Sequence, residues 1–241
     1  MTILTPAFNS ERTIRRTIES VLNQTYPYIE YIVLDGASND RTVEIANEFV
    51  SRFEEKGYSI RIISEPDKGM YDALNKGASL ANGELVGQIN SDDWYENYAV
   101  ETMVNLYQEK KYDVAWGSIR IKKKTGDMIK HARNGRVWTT SHWCHPAMFS
   151  QKKILLKYPY ALETMYDDFD FITRVRCDGN KIVTTNFIIT NFNFGGMSTQ
   201  KSLKEVKRRI GITYGIYRKY GLSKLYWFER VLIESFKYLL G

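Results

Sequence analysis

The sequence predicts an α/β fold in which a mostly parallel sheet carries helices on both faces and is followed by C-terminal amphipathic helices. Short apolar runs alternate with segments of helical period through the first hundred residues, which is typical of repeated strand and helix units. The last forty residues instead repeat apolar side chains every three or four positions. At 241 residues the chain has the length of one large domain, or of one domain with a small appendage.

The first half of the chain predicts four buried strands separated by three helices. The strands are expected at 2–5, 31–34, 60–63 and 85–89, and the helices at 11–23, 42–53 and 70–81. In a parallel sheet of this kind, ligands bind beyond the carboxyl ends of the strands. We therefore interpret residues 1–98 as a nucleotide-binding half.

The regular alternation ends near residue 100. Strand-like segments are expected at 113–117, 118–122 and 182–194, a hairpin turn at 123–127 and a helix at 168–177. We interpret 99–198 as the acceptor half of the same domain and 199–241 as a helical tail. Two apolar stripes are expected in the tail: Leu203, Val206, Ile210, Tyr214 and Tyr217 on the first, and Leu225, Phe228, Leu232, Phe236 and Leu239 on the second.

Charge is concentrated in the tail. The chain carries a formal charge of +6, of which residues 201–241 contribute +7 and the remaining 200 residues −1. A nucleic-acid-binding surface would spread Lys and Arg over the body of the fold, so no nucleic-acid partner is expected. The pattern favours an anionic membrane surface as the partner of the tail. The alternative is that its apolar stripes pack on the rest of the chain or on a second copy in a homo-oligomer.

Cysteine content and hydropathy bear on the compartment. Cys144 and Cys177 have no spacing typical of a zinc site or a disulfide framework, which is consistent with a reducing cytoplasm. Strand character begins at Thr2, which leaves no room for a signal peptide, and no apolar segment reaches the ~18 residues that span a bilayer. We expect a cytoplasmic protein, free or peripheral on the inner face of the cell membrane.

Two adjacent carboxylates, Asp92 and Asp93, follow the apolar run 85–89. Neighbouring carboxylates repel each other, so a fold that keeps both ionised supplies a compensating cation, and a divalent metal with oxygen ligands is the simplest one. The alternative is that the pair caps a helix beginning near Tyr95, since Asp is a favoured N-cap residue.

Four ordered motifs resemble the signatures of family 2 glycosyltransferases with the GT-A fold, a Rossmann-like α/β fold. The motifs are Thr5-Pro6-Ala7-Phe8-Asn9, Asp35-Gly36-x-Ser38-x-Asp40-x-Thr42, Asp67-x-Gly69-x-x-x-Ala73-x-Asn75-x-Gly77 and Asn90-Ser91-Asp92-Asp93. The resemblance covers residues 1 to about 198. It implies inverting transfer of a sugar from a nucleotide-sugar donor, usually a UDP-sugar, to an acceptor hydroxyl.

The resemblance also implies which residues bind the donor. Asp35 would accept a hydrogen bond from the base, while Thr5, Pro6 and Ala7 would form the backbone wall beside it and Asn9 would complete that motif. Asp67, Lys68 and Gly69 would lie at the phosphates, where a cation helps and glycine lets the backbone come close. The alternatives are an ordinary strand-to-helix turn for the first motif and solvent exposure for Lys68.

For the chemistry, the resemblance makes Asp93 the direct ligand of Mn²⁺ or Mg²⁺ and places Asp92 at the ribose or in the metal's shell. The acidic segment 166–174 would supply Asp168 as the general base, with Asp167 and Asp170 beside it. For those two neighbours, a stabilised helix N-terminus is an equal alternative.

Two further segments match the resemblance. His145 would line the active-site floor and approach the phosphates or the donor sugar, and a structural histidine is the alternative. Two glycines in 193–198 suit a loop that closes over bound donor.

We infer a metal-dependent glycosyltransferase that extends a saccharide, and a lipid-linked saccharide of surface-polysaccharide biosynthesis is the expected acceptor. Two other functions remain open. A nucleotidyltransferase would share the nucleotide-binding topology and metal carboxylates, but would need a glycine-rich phosphate loop near the first strand, and none is visible there. A non-catalytic nucleotide-sugar-binding subunit would keep the site for the nucleotide-sugar and would not need a general base.

Overall fold

A computed structural model describes residues 1–123, 125–135, 139–140, 142–193 and 202–240. Nine strands in these ranges form one sheet in the order β3-β2-β1-β4-β8-β6-β9-β5, with β7 paired to β6 outside this path. The strands are β1 Thr2–Ala7, β2 Glu30–Asp35, β3 Ser59–Ser64, β4 Leu85–Gln88, β5 Trp94–Tyr95, β6 Val114–Lys123, β7 Gly126–Lys130, β8 Met148–Gln151 and β9 Ile182–Asn193.

The first four strands pair in parallel, as predicted. All residues of β1 and β4 are buried, which explains why these strands read as continuous apolar runs and not as alternating patterns. Ala7 of β1 lies opposite Asp35 of β2 in the register. The loops that follow β1, β2, β3 and β4 therefore meet at one edge of the sheet.

The helices cover both faces of the sheet and extend into the tail. They are α1 Ile14–Leu22, α2 Thr42–Asn47, α3 Val50–Glu55, α4 Met70–Leu80, α5 Ala99–Lys110, α6 Lys152–Lys157, α7 Asp167–Cys177, α8 Leu203–Lys219 and α9 Tyr226–Leu240. The helix predicted over 42–53 is divided into α2 and α3. The turn between them buries Phe49 completely, so packing of this side chain accompanies the break.

The predicted helix near Tyr95 begins only at Ala99. Trp94 and Tyr95 instead form the short strand β5, which pairs antiparallel with β9. The residue that precedes α5 is Tyr98, and Asp92 and Asp93 lie too far from the helix to cap it. The helix-cap interpretation of the two carboxylates is therefore wrong.

The second half of the sheet is mixed. The two strands predicted at 113–117 and 118–122 are one strand, β6, which pairs antiparallel with β8 and parallel with β9. The pairing of β6 with β9 shifts register near Ser118, which bends the strand without ending it. Lys124 of the predicted hairpin turn and the glycines of the predicted closing loop at 194–198 lie outside the described residues.

The tail packs on the catalytic half through charged and aromatic side chains. Asp170 of α7 accepts hydrogen bonds from Lys219 Nζ and the Tyr220 hydroxyl, each at 3.0 Å, and Tyr217 is completely buried. Between α8 and α9, the buried Glu234 carboxylate lies 2.7 Å from Arg209 Nε and 2.6 Å from a guanidinium nitrogen of Arg230. No helix in the described part of the chain is long and apolar enough to cross a membrane.

Candidate active site

A cleft of about 1370 Å³ opens where the loops after the parallel strands meet the start of α7 and the start of α8. Its lining includes Pro6 to Thr13, Gly36, Asp40, Asp67 to Tyr71, Asn90 to Asp92, Leu162 to Met165, Asp167, Phe192, Asn193 and Arg208. Seven of the predicted site residues are among them: Pro6, Ala7, Asn9, Asp67, Lys68, Gly69 and Asp92. This cleft exceeds the size of a typical small-ligand pocket, which leaves room for two substrates.

The loop after β1 forms one wall of the cleft. Asn9 has a φ of 48° and is fixed by two contacts, since its backbone N–H donates to Ser38 Oγ and its Oδ1 accepts from the backbone N–H of Asn39. This leaves the ring of Phe8 60% exposed in the lining. Thr5, by contrast, is completely buried and its Oγ1 accepts from the Tyr31 hydroxyl, so its side chain supports the sheet.

Asp35 lies at the end of β2 but is almost fully buried. Its carboxylate accepts hydrogen bonds from Ser38 N, Ser38 Oγ and, at 2.7 Å, Ser64 Oγ. These bonds connect the loops that follow β2 and β3. An ionised carboxylate has roughly four acceptor positions, so one remains for a base N–H after these three donors.

The loop after β3 places a cation and a glycine at the cleft. Gly69 has a φ of 107°, a backbone conformation that side chains disfavour, and its N–H donates to Asp67 Oδ1 at 2.7 Å. Lys68 is exposed, and its backbone N–H donates to Asp72 Oδ2 at 3.0 Å. The Lys68 ammonium is thus presented on a loop whose backbone is held at both ends.

The two carboxylates after β4 have different environments. Asp92 lines the cleft, whereas Asp93 is completely buried behind it. Asp93 Oδ1 accepts from the backbone N–H of Asn193 at 2.9 Å, and Oδ2 accepts from Asn90 Nδ2 at 3.3 Å. Burial, reinforced by the Asp92 carboxylate, raises the pKa of Asp93 to about 8. Asp93, predicted as the direct metal ligand, is thus the buried member of the pair and Asp92 the member that lines the cleft, and the identity of the ligand stays a prediction.

Arg16 of α1 supplies a protein cation beside this pair. Its guanidinium stacks 3.5 Å from the centre of the Trp94 ring and donates to the backbone carbonyl oxygen of Asp92 at 3.1 Å. Repulsion between Asp92 and Asp93 is thus relieved in part without a metal, a possibility the sequence argument did not include. Among the described residues, no group of three or more His, Cys, Asp or Glu side chains could hold a metal ion.

Asp168 is held in place by donors on two other segments. Its Oδ1 accepts from the Tyr71 hydroxyl at 3.0 Å, and its Oδ2 accepts from Trp143 Nε1 at 2.8 Å. Burial raises the pKa of Tyr71 well above its ordinary value and the Asp168 charge adds to this, so the phenol stays protonated and donates. Asp168 itself is partly exposed and is not among the lining residues of the cleft, whereas its contact Tyr71 and its neighbour Asp167 are.

The neighbours of Asp168 have structural contacts. Asp167 is buried and accepts from the backbone N–H groups of Glu163 and Thr164, at 2.9 Å and 2.8 Å, which shapes the loop before α7. Asp170 is occupied by the tail, as described above. For both residues the structural alternative fits better than a part in the chemistry.

His145 does not line the cleft. It is buried, and its Nε2 lies 3.1 Å from Gln88 Oε1, which also accepts from the Tyr160 hydroxyl at 2.6 Å. Burial lowers the pKa of His145, against the opposing effect of Asp168, so a neutral ring is favoured. These contacts are those of the structural alternative, and an approach of His145 to the donor stays a prediction.

Several cleft residues were missed by sequence reasoning. Tyr71 lies in the helix predicted at 70–81, and Arg208 counts among the cations of the predicted tail, but neither stands out in the sequence as a cleft residue. Arg12 lies exposed in the lining just before α1. The signal that could have identified Phe8 is an aromatic residue between the turn residues Pro6 and Asn9, where burial is not expected.

Comparison with known proteins agrees with this architecture. The model of Glycosyl transferase family 2 matches residues 2–175. The chain belongs to this family. A PGL/p-HBAD biosynthesis glycosyltransferase of Mycobacterium bovis (strain BCG / Pasteur 1173P2) is 26% identical over 218 residues, which span 86% of this chain and 82% of the relative. The glycosyltransferase GlyA of Streptococcus pneumoniae serotype 4 is 33% identical over 118 residues, 49% of this chain and 16% of that protein.

Solved structures of glycosyltransferases share the fold. S. aureus TarS in complex with UDP superposes with a TM-score of 0.70 at 15% identity, covering 97% of this chain and 70% of that one. The mannosyltransferase PcManGT from Pyrobaculum calidifontis, in complex with GDP-Man and Mn²⁺, also gives a TM-score of 0.70, at 14% identity, covering 99% of this chain and 70% of that one. These likenesses confirm the predicted GT-A fold, and the family model confirms the family 2 resemblance.

Proposed function

We propose that this family 2 glycosyltransferase moves a sugar from a UDP-sugar to an acceptor hydroxyl with inversion at the transferred carbon. The observation that carries the proposal is the position of Asp168. Its two carboxylate oxygens are fixed by the Tyr71 hydroxyl and Trp143 Nε1, and both Tyr71 and the neighbouring Asp167 line the cleft that also contains Asp92. Asp168 can then take a proton from the acceptor hydroxyl, while Asp92 contributes to binding of the nucleotide-sugar.

The donor occupies the part of the cleft next to β1 and β2. Phe8 offers an exposed ring for stacking on the base, and Asp35 accepts from a base N–H through its remaining acceptor position. The diphosphate then lies toward Lys68 and Arg12, the cations of the loops after β3 and β1. UDP in the TarS complex and GDP-Man in PcManGT support a nucleoside diphosphate sugar as the donor class.

The oxygen ligands that Asp92 offers fit Mn²⁺ or Mg²⁺. Such ions prefer oxygen ligands and bind through one or two carboxylates together with substrate phosphates and water, so a cage of protein ligands is not required. Asp92 would hold the ion from the cleft wall, and Asp93 would fix the backbone behind it by bonding to Asn193 and Asn90. When bound, the ion would offset the negative charge of the departing nucleoside diphosphate.

Asp168 acts as the general base. The hydrogen bonds from Tyr71 and Trp143 use about half of the lone-pair positions of the Asp168 carboxylate. The hydroxyl of the acceptor substrate can donate a hydrogen bond to one of the others. The hydroxyl proton passes to the Asp168 carboxylate as the oxygen attacks the sugar carbon on the face opposite the departing diphosphate, which inverts that carbon. Because the proton moves as the bond forms, the position of Asp168 matters more than a high resting basicity.

The acceptor is a saccharide carried on a lipid. The cleft extends from the donor wall to Arg208 of α8 and the loop 162–165, which leaves room for a second substrate. The description of the mycobacterial relative as a PGL/p-HBAD biosynthesis enzyme is in keeping with a glycolipid product, although that description belongs to the relative.

The test is a panel of UDP-sugars and GDP-mannose, each with and without Mn²⁺, scored for thermal stabilisation and for donor hydrolysis. We expect stabilisation by at least one UDP-sugar and hydrolysis that depends on the metal. Asp168→Asn should keep the stabilisation and lose turnover. Pyrophosphate release would instead identify a nucleotidyltransferase, and unchanged cellular glycan production with Asp168→Asn would identify a non-catalytic subunit.

A further inference from the structure

Helix α9 buries charged side chains and exposes apolar ones, which is the reverse of an ordinary surface helix. Its charged residues Arg230 and Glu234 face the body of the protein and are 1% and 0% exposed. Its large apolar residues point outward: Phe228 is 59%, Leu232 70% and Phe236 66% exposed. Surface helices normally bury the apolar stripe and expose the charges. Folding of the described chain therefore leaves this stripe uncovered.

The exposed apolar residues form one continuous surface. Phe228, Leu232 and Phe236 recur four positions apart, which places them on one side of the helix, and Leu225 lies in the turn directly before it. Leu225 is 71% exposed, and Trp227 lies beside Phe228 with its ring edge-on. We call Leu225, Phe228, Leu232 and Phe236 the apolar stripe. A contiguous apolar patch of this kind marks an interaction site.

The helix that packs on α9 presents the opposite chemistry to solvent. The exposed residues of α8 include five cations and no carboxylate: Lys204, Lys207, Arg208, Arg218 and Lys219. Arg208 pairs with the half-buried Glu205 at 2.8 Å and Lys219 with Asp170 at 3.0 Å, and Lys204, Lys207 and Arg218 are the other three. Lys224 is also exposed, directly before the apolar stripe. Large apolar side chains next to a row of Lys and Arg are typical of helices that lie in the interface of an anionic membrane.

We propose that the tail docks on an anionic phospholipid bilayer, with the apolar stripe of α9 inserted between headgroups and the cations of α8 at the lipid phosphates. Charge separates this occupant from a second copy of the chain. Residues 201–241 carry +7, so two tails brought face to face would repel each other, whereas an anionic surface attracts each one. The inference depends on the tail alone and does not require the proposed donor or acceptor.

The docking would place the cleft near the membrane. Arg208 belongs both to the exposed basic face of α8 and to the lining of the cleft. Asp170 of α7 fixes α8 to the domain, and Glu234 fixes α9 to α8, through the buried contacts described above. A tail attached in this way would orient the cleft relative to the surface as well as concentrate the protein there.

Flotation of the full chain with vesicles tests the proposal. We expect the protein to float with vesicles of phosphatidylcholine mixed with phosphatidylglycerol, and to stay behind with phosphatidylcholine alone. Phe228→Ser, Leu232→Ser and Phe236→Ser combined should lower partitioning by roughly 100-fold or more. Lys204→Gln with Lys207→Gln should lower it by about tenfold or more.

Matched controls exclude general effects of the substitutions. Met128→Ser, Ile129→Ser and Leu156→Ser combined remove three comparably exposed apolar side chains elsewhere, and Lys110→Gln with Lys153→Gln removes two exposed cations. Both controls should float like the wild type. Because the stripe is already exposed, its triple variant should unfold at nearly the wild-type temperature.

Three results would overturn the proposal. The first is a wild-type chain that does not float with anionic vesicles, and the second is a stripe variant that floats as well as its control. The third is a lipid-free dimer, seen by analytical ultracentrifugation, that the stripe variant converts to monomer. That outcome would identify a second copy as the partner of the stripe.

Discussion

The hydroxyl of Tyr71 on α4 lies 3.0 Å from Oδ1 of Asp168 on α7 and joins the nucleotide-binding half of the fold to the acceptor half. These residues are 97 positions apart in the chain, and the contact lies where both halves meet the cleft. Because Trp143 holds the other oxygen, the carboxylate has little freedom to rotate. The packing of the two halves against each other therefore sets the orientation of Asp168, the proposed general base.

Tyr71→Phe tests this relationship. Loss of a hydrogen bond to a charged group should release Asp168 and lower kcat by about tenfold to 100-fold. The KM for the donor should change little, because the hydroxyl donates to Asp168, the residue proposed to contact the acceptor. Steady-state kinetics with the donor found in the panel measure both values.

Tyr107→Phe is the matched control for this substitution. The Tyr107 hydroxyl also donates to a carboxylate, that of Glu84, on an exposed part of the surface. This variant should keep wild-type kcat and KM. Equal kinetics for Tyr71→Phe and the wild type would contradict the positioning role of Tyr71.

The two aspartates after β4 should respond differently to amide substitution. Asp92→Asn should remove the metal-dependent part of kcat/KM, roughly 100-fold or more, while the unfolding temperature stays near that of the wild type. Asp93→Asn should leave the fold at least as stable as the wild type at pH 7 and keep the response to the metal. The reason is that burial raises the pKa of the Asp93 carboxyl to about 8 and makes its ionised form costly, whereas the amide carries no charge.

Titration of Mn²⁺ against donor hydrolysis, together with urea unfolding of both variants, measures these effects. An Asp93→Asn protein that keeps wild-type stability but loses its response to Mn²⁺ would return the metal to Asp93. It would also show that Asp92 lies at the ribose or in the metal's shell, as the family resemblance implies, and is not the direct ligand.

The sequence predicts the parallel half of the fold well because its information is local. Each strand there is a continuous apolar run, and each loop after a strand carries its own motif, as Asp35 and Asp67 do. The roles of Asp92 and Asp93 could not be separated in this way. What buries Asp93 is Asn193, one hundred residues later, and no local pattern indicates that contact.

The tail shows a second limit of sequence-based prediction. Hydrophobic periodicity locates both helices but assumes that the apolar side of each faces inward. In α9 the buried side is instead chosen by Glu234, because its carboxylate pairs with Arg209 and Arg230. The ordinary assumption fails for this helix, since the periodicity does not report which side of a helix is covered.

Two glycines should respond in opposite directions to alanine. Gly69 has a φ of 107°, so Gly69→Ala should cost about 1–3 kcal/mol of unfolding free energy although no atom lies within 4 Å of the new Cβ. Gly215 lies inside α8 with equally open space around it, so Gly215→Ala should stabilise the protein by about 0.5–1 kcal/mol. Urea unfolding of the two variants measures both changes. A Gly69→Ala protein as stable as the wild type would contradict the loop conformation at the phosphates.

Glu234→Gln should loosen the packing of α9 on α8. The substitution leaves the guanidinium groups of Arg209 and Arg230 buried without their shared negative charge, which should cost about 3–5 kcal/mol. Glu44→Gln is the matched control, because Glu44 pairs with Arg41 on the surface and such a pair contributes about 1 kcal/mol or less. Urea unfolding and limited trypsin digestion measure the effect, with early cleavage expected beyond residue 200. If Glu234→Gln resists trypsin like the control, the buried ion pairs do not hold α9 on α8, and the packing of Tyr217 must be sufficient.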